Sequence, residues 1–318
     1  MPSLAIAREA NANFSPSPSP VAIFLGGTSG IGQGTASAFA RHTKGNAHII
    51  IIGRNRNAAE AFFETFPKTP ESKYEFVCCD ASLIRNVAET TSALLARLPK
   101  VNYMVLTSGA IPPLWDTIRG VQHPTEEGLD HVLALAYYSR TKFMLDLLPL
   151  LQKAKDAGED ARVLNVVAAG HGGPVDYNDM GLRKTYSLRT LRPIMVTYTD
   201  MAMETLAARV PGSTFTHTFP GAVSTPLFPW WAKPLIYLVG MSMEDSGEYM
   251  LYALLNGEAG AQRRGEHGDD LGTEGYYGGD EARERVWGHT TEVIESILAT
   301  GSWKTPGQDP ATGVTTDA

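Results

Sequence analysis

The chain has only two cysteines in 318 residues, and they are neighbours, Cys78 and Cys79. Successive side chains of a strand point to opposite faces, so the pair reads as two separate thiols rather than a structural disulfide. That favours a reducing, cytoplasmic setting. Scarce cysteine and scattered histidine leave no metal-ligand spacing. No Lys/Arg run stands out, and 34 acidic against 27 basic residues give a net charge of −7, so the charge pattern offers nucleic acid no partner. No stretch approaches ~18 uninterrupted apolar residues, which argues against a transmembrane helix. The N-terminus also lacks the basic-then-apolar order of a signal peptide.

What is present is a 43% hydrophobic chain with short apolar runs set between longer amphipathic segments. Strands are expected over 21–26, 48–53, 74–80, 103–108, 162–167 and 215–219. Their near-continuous apolar character, extreme in Ile49-Ile50-Ile51-Ile52, suits strands buried on both faces of a parallel sheet. Helices are expected over 30–43, 57–66, 82–98, about 125–154, about 187–209, 244–255 and 280–298. The alternation implies a single α/β domain, a doubly wound parallel sheet of Rossmann type, over about 21–300. Residues 1–20, ending in Ser15-Pro16-Ser17-Pro18-Ser19-Pro20, read as a disordered arm, and 301–318 as a flexible tail.

A glycine-rich turn follows the first strand: Leu25-Gly26-Gly27-Thr28-Ser29-Gly30-Ile31-Gly32. Gly26 permits a sharp exit from the strand, Gly30 lets backbone approach a phosphate, and Gly32 allows close packing of the helix whose N–H groups face the anion. A ligand-free glycine turn is the plainer alternative. The second strand ends Gly53-Arg54-Asn55, where folds that prefer NAD place an acidic residue for the ribose hydroxyls. An arginine there suits a 2′-phosphate, so the expected cofactor is NADP(H). Asp80, followed by Ala81, ends the third strand and reads either as a contact to adenine or as a helix cap.

These residues, in this order, resemble the short-chain dehydrogenase/reductase family over about 21–255. The family's Thr-Gly-x-x-x-Gly-x-Gly is matched from Gly26 with Leu25 in place of threonine, and Phe219-Pro220-Gly221-Ala222-Val223-Ser224-Thr225 looks like its Pro-Gly-x-Val-x-Thr. Tyr137-Tyr138-Ser139-Arg140 and the run from Ser213 to Pro220 resemble a divergent fungal branch with roles in specialised metabolism. The resemblance implies cofactor contacts at Gly26, Thr28, Ser29, Gly30, Ile31, Gly32, Arg54, Asn55, Asp80, Ala81, Ser108, Gly109, Pro220, Gly221, Val223 and Thr225.

The family's Asn-Ser-Tyr-Lys tetrad is matched poorly. Its asparagine falls on Ala136, its serine on Ala168, its tyrosine on Tyr186 and its lysine on Thr190. Without the lysine, Tyr186 should keep a pKa near the free phenol's ~10. Tyr138 and Lys142 match Tyr-x-x-x-Lys, but they precede the fifth strand and are ordinary i,i+4 neighbours. The candidate catalytic group is therefore Tyr186, Arg140, His171 and Asp176. Arg140 could polarise a carbonyl but not act as a base. His171 could exchange protons near neutrality, and Asp176 shares its loop after the fifth strand.

The segment 225–242, with Trp230-Trp231, reads as an apolar lid over a hydrophobic substrate, or as a subunit interface or peripheral membrane contact. Three functions fit: an NADPH-dependent carbonyl or imine reductase, a non-redox cyclase or isomerase, and a nucleotide-binding regulator without chemistry.

Overall fold

This computed structural model describes residues 1–16, 19–111, 114–226 and 240–303. Seven parallel strands form one sheet in the order β3-β2-β1-β4-β5-β6-β7. They are β1 Val21–Leu25, β2 His48–Gly53, β3 Lys73–Cys78, β4 Tyr103–Leu106, β5 Arg162–Val166, β6 Thr214–Thr218 and β7 Gly260–Arg264. The order reverses at β1, so the crevice between the C-terminal ends of β1 and β4 is where such sheets bind ligands.

Strand alternation explains the isoleucine run. Ile50 and Ile52 enter one core with Val21, Ile23 and Leu25, while Ile49 and Ile51 enter the opposite core with Ala22 and Phe24. Each fully buried isoleucine contributes about 1.5–3 kcal/mol, which fixes the register of the central strands. Cys79 is buried and Cys78 exposed, as alternation requires.

The helices α2 (Gly30–His42) and α3 (Arg56–Phe63) cover one face together with α9 (Met243–Leu255). The other face carries α4 (Ile84–Arg97), α7 (Ser139–Asp156) and α8 (Leu188–Ala207). A terminal helix, α10 (Asp280–Thr300), adds a third cluster against α8. A short helix, α5 (Leu114–Ile118), lies between β4 and the segment leading to α7.

Four expectations need correction. The N-terminal arm is not disordered throughout: Leu4–Ala12 form helix α1, capped by the Ser3 side chain. Asn11 is buried and its amide donates to Glu248 of α9, at 2.9 Å to the backbone carbonyl and 2.7 Å to the carboxylate. The helix expected from 125 begins only at His131. Before it, Thr125 N–H donates to the Leu129 carbonyl in a tight turn. Asp130 caps α6 (His131–Leu133), and a π-helical turn, Ala134–Tyr138, then leads into α7. The polar stretch after Leu255 supplies a seventh strand, β7, paired with β6. Finally, the chain is anchored through Trp303, whose N–H donates to the Glu127 carbonyl and whose ring lies 4.3 Å under the Arg183 guanidinium. Residues 304–318 and most of the expected lid, 227–239 with Trp230 and Trp231, lie outside the described residues. Among the described residues no helix is long and apolar enough to cross a membrane, and no cluster of metal ligands occurs.

Helices α2 and α9 cross with glycine facing glycine: a Cβ on Gly34 would collide with the Met243 carbonyl, and one on Gly247 with the Gly34 backbone. Gly288, by contrast, sits mid-helix on the surface of α10 with open space around its Cα. We expect Gly34→Ala to lower stability by about 1–3 kcal/mol and Gly288→Ala to raise it by about 0.5–1 kcal/mol. Urea unfolding of both variants checks the opposite signs.

Candidate functional site

A cleft of about 850 Å³, its open mouth included, lies over the C-terminal ends of β1, β2 and β4. Gly26, Thr28, Ser29, Gly30, Ile31 and Gly32 form its floor, as the sequence predicts. Gly26 takes φ +89° and Gly30 φ +60°, the left-handed region that glycine alone enters without strain. A Cβ on Gly32 would sit 2.6 Å from the Gly26 carbonyl oxygen, so only glycine lets α2 begin this close to the strand. The Ser29 side chain makes no capping bond. The first N–H groups of α2 are therefore left for an anion, which the positive end of the helix favours. The residues fit a dinucleotide's pyrophosphate.

At the β2 end, Arg54 is exposed and lines the cleft beside Asp80 and Ala81. Burial works to raise the Asp80 carboxyl. Hydrogen bonds from the Ser82 N–H (3.0 Å) and hydroxyl (2.8 Å), with the charges of Arg54 and His131, outweigh this and hold it below the usual range. Both occupy one oxygen, Oδ1. Asp80 is not the cap of α4: Glu127, wholly buried, accepts from the N–H groups of Ile84 (2.6 Å) and Arg85 (3.0 Å) there. Asn55 does not line the cleft. Its side chain caps α3, accepting from Ala58 N–H at 3.0 Å.

At the β4 end the wall is Thr107, Ser108 and Gly109, with Leu135, Thr225 and Pro226. No role in the site is expected from the sequence for Leu25, Ile52, Gly53, Cys79, Thr107, Leu135 or Pro226. Thr107 was legible only through its partners, because its hydroxyl donates to Leu25 O and packs on Gly32. Pro220, Gly221 and Val223 stand back from the lining. A parallel bridge to Met241 turns Val223 into the interior, and the Glu266 carboxylate packs on Gly221.

The four catalytic candidates are not brought together. Arg140 is buried, and its guanidinium donates to the Ser108, Leu106 and Val166 carbonyls and to Asn165 Oδ1. Burial pulls its pKa down to about 9, so it stays charged at neutral pH. Its donors tie β4 to β5, which corrects the expectation that it reaches toward a substrate. Tyr186 lies in the third hydrophobic cluster, away from the cleft lining. Its hydroxyl sits beside the Asp130 carboxylate, and neither it nor Asp130 Oδ2 completes a hydrogen bond of good geometry. Burial first, then the Asp130 charge, pushes the phenol's pKa well up, further from proton transfer than the expected ordinary phenol. Asp176 is exposed and accepts from Asn178 N–H at 2.9 Å, a turn role. His171 packs on Phe219 with ring centroids 4.6 Å apart. Lys142 pairs with Asp146 at 2.5 Å and Tyr138 with His289 at 3.0 Å, so that tyrosine and lysine do not act together.

The short chain dehydrogenase family model matches residues 20–173. The oxidoreductase AN1596 of Emericella nidulans is 34% identical over 229 residues, 72% of this chain and 66% of that one. The short-chain dehydrogenase/reductase SAT2 of Stachybotrys chartarum is 31% identical over 282 residues, covering 79% and 77%. Among solved structures, the NADPH-bound carbonyl reductase from chicken fatty liver superposes with a TM-score of 0.58 at 15% identity, over 80% of this chain and 99% of that one. That last likeness is one of fold alone.

Replacing Tyr186 by phenylalanine removes a hydroxyl that has no well-formed partner. We expect stability unchanged or raised by up to about 1 kcal/mol, and NADP+ affinity within about twofold of the parent, a difference below 1 kcal/mol. Thermal unfolding and a binding titration check both; a large loss of affinity would return Tyr186 to the site.

Proposed function

Because the chain belongs to the short-chain dehydrogenase/reductase family, we propose that it is an NADPH-dependent oxidoreductase that reduces a carbonyl or imine of a hydrophobic small molecule. The observation that carries this reading is Arg54 on the cleft wall where β2 ends, with no acidic residue in its place. A guanidinium there offers paired donors to a 2′-phosphate. The N–H groups of Gly30, Ile31 and Gly32 hold the pyrophosphate, and Asp80 meets the adenine end. Bound NADPH supplies the hydride. The protein positions it along the floor of β1 and β4, with Ser108 and Gly109 at the reacting end.

The positions that the family fills with asparagine, serine and lysine hold Ala136, Ala168 and Thr190, and Tyr186 is turned into the core. An N-alkylated iminium suits such a site, because its reduction needs a hydride and no proton. The apolar segment 225–242, with Trp230-Trp231, supports a hydrophobic substrate. The same alanines favour a second reading, a non-redox cyclase or isomerase on this scaffold, whose turnover would be unchanged when NADP+ replaces NADPH.

Arg54→Ala should weaken NADP+ binding about 10–100-fold, the loss of one or two charged hydrogen bonds, and leave NAD+ affinity within about threefold. Calorimetric titration with both nucleotides checks this. Equal losses for the two would contradict a 2′-phosphate contact.

A further inference from the structure

A cluster at the C-terminal ends of β5 and β6 lies outside the cleft lining. The His171 ring packs on Phe219 at 4.6 Å between centroids, tilted 58°. The Arg192 guanidinium, carried by α8, lies 5.8 Å from the centre of the same phenylalanine ring. Both polar side chains are exposed and Phe219 is half-buried. His171 Nδ1 is 3.2 Å from the Ala169 carbonyl oxygen. A carbonyl can only accept, so Nδ1 carries a proton there, and Nε2 remains without a partner among the described residues. Arg192 likewise makes no hydrogen bond or ion pair among the described residues.

The location gives the cluster its meaning. β5 and β6 are neighbours, paired through Val166 and Thr218. His171 follows Ala168 by three residues, and Arg192 follows Thr190 by two. Both lie within three residues, in sequence, of a position that lacks the side chain family members use. From Phe219 the chain runs through Gly221 back to Thr225, which touches the glycine turn: a Cβ on Gly30 would lie 3.4 Å from the Thr225 side chain. One short bridge therefore joins the cluster to the glycine turn of the cleft, along the sheet edge where ligands bind. Glu266, whose carboxylate packs on Gly221, is the acidic group on the same bridge.

We infer that His171 and Arg192, held on Phe219, are the proton donor and the oxyanion-stabilising cation for carbonyl reduction at this site. The assignment rests on the reductase reading. The carbonyl carbon receives the hydride from NADPH, which becomes NADP+, and the C=O π pair moves onto oxygen. That oxygen takes the proton from Nε2 of doubly protonated His171, leaving a neutral imidazole that solvent reprotonates. Arg192 steadies the negative charge that builds on oxygen and cannot itself give up a proton.

The test uses the full-length protein, NADPH and two probes, an aryl aldehyde and an N-methylated cyclic aryl iminium ion. The iminium takes up a hydride and needs no proton. We expect His171→Ala to lower kcat for the aldehyde about 100-fold or more, the usual contribution of a general acid, and to keep iminium reduction within about threefold. Arg192→Ala should cost the aldehyde reaction about 100-fold, with Arg192→Lys recovering part. NADPH affinity and unfolding temperature should stay at parental values, because both side chains are exposed. Variants that keep aldehyde activity, or that lose both reductions equally, overturn the assignment while leaving the reductase reading in place. A parent protein that reduces neither probe overturns the reading and the assignment together.

Discussion

Backbone must touch backbone where β1 passes into α2, and the rest of the site depends on that contact. A side chain on Gly26 would lie 2.7 Å from the Ser108 nitrogen, and one on Gly32 2.6 Å from the Gly26 carbonyl oxygen. Glycine at both positions brings the end of β4, the end of β1 and the start of α2 into one small volume. The unpaired N–H groups of α2 then face open space rather than protein. The same helix leans on α9 through Gly34 and Gly247, so the path of its first turns is set by the absence of side chains. Nothing in that arrangement requires a particular reaction. It favours an anion.

A second constraint comes from a buried charge. Arg140 has no carboxylate partner among the described residues and is held by carbonyl and amide oxygens at the ends of β4 and β5. A cation removed from water this completely is tolerated only when its donors are occupied. Occupied donors make it a strut. It fixes Ser108 and Gly109, on the cleft wall, against Val166 of the neighbouring strand. Arg140, the one buried guanidinium among the described residues, thus serves the geometry of the site.

Much of the fold was legible because its signals are local. The Ile49–Ile52 run, the glycine turn and Arg54 each carry their meaning within a few residues; the run lies in the central strands, and the turn and Arg54 line one cleft. What was illegible depends on contacts between distant segments. Helix α1 is stabilised by Asn11 on Glu248, 237 positions away, which the Ser-Pro repeat beside it gives no reason to expect. β7, with the polar sequence Gly-Ala-Gln-Arg-Arg, is a strand because β6 offers it a free edge. Tyr186 matches a family position in the sequence, but Asp130 and the surrounding apolar cluster decide where its hydroxyl goes. Arg140 was read as reaching toward a substrate, and only the three-dimensional positions of four acceptors show that most of its donors are held by the ends of β4 and β5.

The central claim is that this cleft holds NADP(H) by its 2′-phosphate and pyrophosphate. A crystal structure of the full-length protein with NADP+ tests it most directly. The account predicts the 2′-phosphate within about 3 Å of the Arg54 guanidinium and the pyrophosphate on the N–H groups of Gly30, Ile31 and Gly32. A nucleotide whose 2′-phosphate points to solvent away from Arg54, or a cleft that stays empty at saturating NADP+, would contradict it.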